Sequence, residues 1–198
     1  KRINEFLSEK NNIKSKKSIK KNIIGDISFQ NVSFEYKNQK VLDNINFDIK
    51  KGDFLGIIGN VGSGKSTLLQ LICRFLDIKS GQLQIDEESI ENFDIHCLRS
   101  HISYVPQESF LFSDTIRNNL LFGKKESSDL EISEILDLVC MNHDISKFKH
   151  GLETYIGERG VTLSGGQKQR LNLARALLKP SSILLIDDSL SNIDVENE

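Results

Sequence analysis

Four residues carry the strongest chemistry in this chain: Gly59, Gly64, Lys65 and Ser66 stand at the spacing G-x-x-x-x-G-K-[ST]. That spacing suits a phosphate. Successive backbone N–H groups ring an anion only where no side chain blocks the approach, which Gly59, Gly62 and Gly64 allow. Lys65 then sets an ammonium against the β- and γ-phosphates, and the Ser66 hydroxyl is placed to ligate the Mg²⁺ that accompanies ATP. Thr67 extends the cradle.

A second anion-seeking terminus lies downstream. Ser164, Gly165, Gly166 and Gln167 open a helix whose buried stripe is Leu171, Ala174, Leu177 and Leu178, with Pro180 past its end and Ser164 as a natural N-cap. Bare N–H groups at the positive end of a helix dipole favour an anion; a loop that merely leads into a helix has the same composition. Asp187 and Asp188 end the apolar run 182–186, where carboxylates beside a phosphate cradle are placed to hold Mg²⁺ and orient water. Gln107 follows Pro106 at the end of another strand pattern, where ligands of open α/β sheets bind.

These groups need elements to hold them. The apolar run 54–58 is predicted as the strand that feeds the cradle, and a helix is expected from Ser66 to Leu76. Upstream, Ile27 and Phe29, then Phe34 and Tyr36 after a break at 31–33, then Ile45, Phe47 and Ile49 alternate with period two, predicting antiparallel strands. Two roles fit Tyr36, stacking on adenine or packing in the core. A short strand is expected over 82–86, a helical turn over 94–101 and a strand over 102–105. Residues 110–160 lack strand patterns, and Ile132, Ile135, Leu136 and Val139 mark an amphipathic helix there, which predicts a helical lobe inserted in an α/β body.

Composition narrows the class. The 198 residues carry a net charge of −2, with +6 on residues 1–21 and −8 on the rest. An acidic body argues against a nucleic-acid partner. Cys73, Cys97 and Cys140 have no paired spacing, which points to a reduced compartment rather than a disulfide framework. His96, Cys97 and His101 cluster without a fourth ligand for zinc. No apolar run reaches the roughly 18 residues of a membrane helix. Ile3, Phe6 and Leu7 have helical spacing, and the lysine-rich stretch 11–22 reads as a linker.

Taken in order, GNVGSGKST at 59–67, Gln107, LSGGQ at 163–167, ILLIDD at 183–188 and SNID at 191–194 closely resemble the nucleotide-binding domain of ATP-binding cassette (ABC) transporters. LSGGQ discriminates this family from other P-loop enzymes. The runs FSDTIRNNLLFG (112–123) and YIGERG (155–160) are similar to the exporter branch. The resemblance implies an α/β P-loop NTPase core with an N-terminal antiparallel β-subdomain and an inserted α-helical subdomain near 110–165. It implies a linker over 1–22 that follows a transmembrane domain, and a nucleotide-binding domain over 23–198 that stops before the family's switch histidine.

By the same resemblance, ATP contacts fall to Tyr36, Gly59, Asn60, Gly62, Ser63, Gly64, Lys65, Ser66, Thr67 and Gln107, and, across a head-to-tail dimer, to Ser164, Gly165, Gly166 and Gln167. Ser66, Gln107 and Asp187 are the implied Mg²⁺ ligands; Lys65, Gln107 and Asp188 are the implied catalytic residues. Asp188 departs from the family, which has Glu there to polarise the attacking water. The implied setting is the cytoplasmic face of a membrane, with transmembrane domains and a second nucleotide-binding domain as partners. The Asp188 departure suggests a heterodimer with one degenerate site; a regulatory half with little hydrolysis and a soluble cassette ATPase are the alternatives.

Overall fold

A computed structural model describes residues 13–157 and 160–187. The expected helix at Ile3, Phe6 and Leu7, the residue Asp188 and the SNID run lie outside the described residues, as do Glu158 and Arg159 of YIGERG. The chain divides into two compact units, Lys1–His101 and Ile102–Glu198.

The first unit is built on a four-stranded antiparallel sheet, in the order β2-β1-β3-β4. Strands β1 (Ile27–Tyr36) and β2 (Gln39–Ile49) are joined by Lys37 and Asn38, both at positive φ. Such a two-residue turn matches the right-handed twist of its strands. The break expected at 31–33 is a bulge inside one continuous strand. Asn31 takes φ 51°, its N–H donates to Asn46 Oδ1 at 2.8 Å, and the buried set shifts phase from Ile27 and Phe29 to Val32 and Phe34. The extra residue thus keeps every large apolar side chain on the core face. β3 (Ser80–Ile85) pairs with the other edge of β1, and β4 (Glu88–Ser89) continues the sheet.

Helix α1 (Lys65–Ile72) leaves the cradle and buries Leu68, Leu71 and Ile72. It stops four residues before the expected Leu76, because Arg74 adopts φ 49° and turns the chain away. Arg74 is 1% exposed and bonds in three directions: Asp77 Oδ1 at 3.2 Å, the Ile90 carbonyl at 3.4 Å and the Lys14 carbonyl at 3.2 Å. Arg99 donates to the carbonyls of Cys73 and Arg74 at 3.1 and 2.7 Å, closing the helix end. Helix α2 (Ile95–Ser100), which carries Arg99, is capped by the Asp94 side chain.

Removing a buried guanidinium strands its acceptors. Arg74→Met is expected to destabilise the fold by about 2–4 kcal/mol, with Arg74→Lys recovering only part because a single nitrogen cannot reach acceptors that the guanidinium serves from three separate nitrogens. The shift of the denaturation midpoint checks it.

A second sequence expectation fails in this unit. Residues 54–58 form no strand: Phe54 is 96% and Ile58 99% exposed, and neither pairs with a ladder. A strand takes its backbone bonds wholly from neighbours, and the sheet of this unit pairs only β1 to β4 among the described residues.

The second unit pairs β5 (Ile102–Val105) with β6 (Ile183–Ile186) in parallel, register Ile102↔Ile183 through Val105↔Ile186. Four helices follow in this unit, α3 (Ile116–Leu121), α4 (Asp129–Leu138), α5 (Asn142–Ser146) and α6 (Gly165–Leu178); α6 packs on β5, α3 and α4 pack on α6, and α5 packs on α4. Ile116, Leu120, Ile132, Leu136, Met141, Leu171 and Ala174 form the core of the helical part. Ser103 Oγ donates to the Ala176 carbonyl at 2.9 Å, tying α6 to β5. No helix among the described residues is long and apolar enough to cross a membrane.

Candidate functional site

In the first unit the loop 59–64 delivers the chain into α1. Gly62 and Gly64 take φ 81° and 95°, a region where a side chain is strained. A Cβ on Gly64 would also stand 2.9 Å from Leu42 Cδ2 and 3.0 Å from Val41 Cγ1, so the loop lies directly on β2. The Ser63 N–H donates to the Asn60 carbonyl at 3.1 Å and sets the turn.

The N-terminus of α1 is built without the usual protein partner. Gly64 is its N-cap, no side chain caps it, and its first turn holds no acidic residue. Lys65 Nζ donates to the carbonyls of Gly59 at 2.7 Å and Asn60 at 2.9 Å, so the ammonium folds over the loop that it follows. Positive charge, glycine backbone and an uncapped helix end are what a polyphosphate needs; these residues fit ATP. Ser66 and Thr67 occupy the first turn, Thr67 buried. Tyr36 is 43% exposed at the end of β1, edge-on to Phe34, with its OH donating to Gln70 Oε1 of α1 at 3.4 Å. The ring is therefore tied to the cradle helix rather than sunk in the core.

In the second unit Asp187 stands at the carboxyl end of β6, 7% exposed. Its N–H donates to the Val105 carbonyl at 2.9 Å, which extends the ladder by one residue, and its Oδ2 accepts from the Tyr104 OH at 3.1 Å. Gln107 leaves the same end of the ladder, two residues past Val105, and is exposed. The tyrosine was not among the residues singled out by motif. Register would have found it: Tyr104 pairs with Leu185, and Asp187 lies two residues on, hence on the same face.

Ser164 and Gln167 close the N-terminus of α6 reciprocally. Ser164 Oγ accepts from the Gln167 N–H at 3.2 Å, and Gln167 Oε1 accepts from the Ser164 N–H at 3.0 Å. This capping box holds the turn while Gly165 stays open, with nothing within 4 Å of a Cβ placed there. No acidic residue sits in the first turn.

The remaining polar cluster, near α2, serves the chain itself. His101 Nδ1 lies 2.9 Å from the Cys97 carbonyl and Nε2 3.2 Å from Asn22 Oδ1, while Cys97 Sγ meets the Lys21 carbonyl at 3.5 Å. Among the described residues no three His, Cys, Asp or Glu side chains are placed to hold a metal ion. Mg²⁺ bound with ATP takes most of its ligands from phosphate and water, so one or two protein oxygens suffice.

Comparison with known proteins bears on the family. A family model described as ABC transporter matches residues 42–191. The ABC transporter ATP-binding protein YfiB of Bacillus subtilis is 42% identical over the whole chain, which spans 35% of that protein. The mitochondrial iron-sulfur clusters transporter ATM1 of Debaryomyces hansenii is 43% identical over 88% of the chain and 25% of its own length. A solved structure of a bacterial Atm1-family ABC exporter with ATP bound superposes with a TM-score of 0.91 at 32% identity, covering 99% of this chain and 35% of the other. The chain thus spans about a third or less of the length of these relatives.

Proposed function

The chain belongs to the ABC transporter family, and from that premise we propose that it binds MgATP, hydrolyses it, and drives export of a substrate across a membrane from the cytoplasmic face. The carrying observation is the cradle: an uncapped α1 terminus, positive-φ glycines and a lysine with no carboxylate in the first turn. In this reading residues 1–22 link to a transmembrane domain, residues 23–198 are the nucleotide-binding domain, and its helical subdomain runs from about 110 to 165.

Bound ATP would supply the phosphoryl group, and Mg²⁺ held beside it would offset negative charge; the side chains do the rest. Lys65 pairs with the phosphate oxygens, while Ser66 and Asp187 offer oxygens to the cation. Tyr36 covers the adenine. Asp188 polarises the attacking water. Gln107 stands at the ladder's end as the group that senses the cation and couples it to the transmembrane part.

Two nucleotide-binding domains close head to tail, so that Ser164, Gly165, Gly166 and Gln167 meet ATP held by the partner. What supports this is a helix start with an open glycine, a structured turn and no acid. Ser164→Arg is expected to leave ATP affinity at Lys65 within about twofold while abolishing closure, since the new side chain fills the space meant for a phosphate. ATP-dependent crosslinking of the two domains in the full-length transporter measures it; normal closure with Ser164→Arg would sink the head-to-tail arrangement.

The partner is a different chain bearing Glu where this one has Asp188, which makes a heterodimer with one slow site. A regulatory half that closes on ATP and hydrolyses little is the second reading, favoured by the same residue.

A further inference from the structure

From the β5–β6 ladder we infer that Tyr104 is a positioning residue for the cation: its phenol sets the direction of the Asp187 carboxylate before Mg²⁺ arrives. The inference rests on the reading of Asp187 as a cation-holding group.

Register comes first. Ile102 pairs with Ile183, Tyr104 with Leu185, so Ile102, Tyr104, Ile183, Leu185 and Asp187 share one face, on which all but the half-buried Tyr104 are less than a tenth exposed. The other face carries Ser103 and Val105, 2% and 1% exposed, and Leu184, 42% exposed. Asp187 itself is 7% exposed, and a carboxylate so covered is costly without hydrogen bonds. Tyr104 answers that cost from the neighbouring strand. Its OH reaches diagonally forward past Leu185 to Oδ2 at 3.1 Å.

The backbone of Asp187 is fixed separately. Its N–H is spent on the Val105 carbonyl at 2.9 Å, so adjacent residues of β5 hold the main chain and the side chain of the same aspartate. With both held, rotation of the carboxylate breaks a charge-assisted bond. The consequence is a ligand already aimed, and Mg²⁺ is exacting about ligand direction. Outer partners of metal ligands act in this way, and losing one costs about 10–100-fold in metal affinity or activity. Phenylalanine at 104 would fill the same space and keep the β5–β6 packing while losing the bond.

The test uses the full-length protein with Mn²⁺ as a paramagnetic stand-in for Mg²⁺, titrated by electron paramagnetic resonance with ATP present. Tyr104→Phe is expected to weaken Mn²⁺ about tenfold while the affinity for ATP in EDTA stays that of the wild type. Tyr104→Leu should match Tyr104→Phe in Mn²⁺ affinity if the hydroxyl, not the ring, is responsible. Wild-type Mn²⁺ affinity in Tyr104→Phe would overturn the inference. So would an equal loss of metal-free ATP binding, which a general distortion produces. Asp187→Asn separates the two levels: weakened Mn²⁺ there with an unaffected Tyr104→Phe sinks the tyrosine alone, and an unaffected Asp187→Asn sinks the aspartate's role together with it.

Discussion

Lys65→Ala is expected to remove MgATP binding for practical purposes, lowering affinity by about a hundredfold or more, since each charge-assisted bond to a phosphate oxygen is worth about 1.5–3 kcal/mol. The geometry explains why nothing else compensates. The first turn of α1 offers N–H groups but no other cation, and the ammonium is the group that bends across the loop to the Gly59 and Asn60 carbonyls. Those two bonds are the resting position of a side chain poised over the cradle; phosphates would exchange carbonyl acceptors for charged ones. Lys65→Met keeps the aliphatic stem and should lose affinity nearly as far, which separates charge from packing. Equilibrium binding of labelled ATP to the full-length protein reads the effect. Equal affinity in wild type and both variants would mean that the loop holds no nucleotide, and the functional reading would fall with it.

The glycine turn ahead of α1 was legible because its requirement is local. Glycine at positive φ, a lysine and a hydroxyl at fixed spacing leave few other uses, and the structure finds Gly62 and Gly64 in the left-handed region as that requirement demands. The antiparallel sheet was legible from alternation, and the apparent break at 31–33 was a bulge seen in sequence, where the buried phase slips by one residue. The cap at Ser164 was legible for the same local reason: serine three residues before glutamine can close a turn without help from elsewhere.

What was not legible depends on pairing at a distance. The run 54–58 reads as a buried strand from its side chains, yet apolarity states only that a segment suits a covered position, and no ladder forms on it here. Arg74 drew no expectation from the sequence; Asp77 lies three residues on, but the burial of Arg74 also depends on the carbonyls of Lys14 and Ile90, 60 and 16 residues away, which no spacing rule links. Tyr104 sits in an ordinary strand pattern and acquires its meaning only from the register that sets it diagonally behind Asp187.

Asp188→Glu is expected to speed turnover at this chain's own site by about two orders of magnitude, because aspartate is one methylene shorter and misplacement of a catalytic group by about 1 Å costs roughly 10²-fold. Capture of nucleotide should not change: the cradle is complete, and Asp187 is held by Val105 and Tyr104 whatever follows it. The substitution therefore acts on the chemical step alone, a rise in kcat with ATP affinity constant. In a heterodimer the result is asymmetric. There LSGGQ of this chain would serve the partner's site, so replacing the partner's Glu with Gln should remove most ATPase activity in the parent assembly, and Asp188→Glu introduced into that crippled assembly should restore it. A homodimer allows no such rescue, since one substitution alters both sites together. If the full-length protein assembles only with itself and turns over ATP at an ordinary transport-coupled rate, the degenerate-site heterodimer is wrong and Asp188 is a competent base. If Asp188→Glu leaves turnover unchanged in a heterodimer, the slow site owes its rate to something other than the missing methylene.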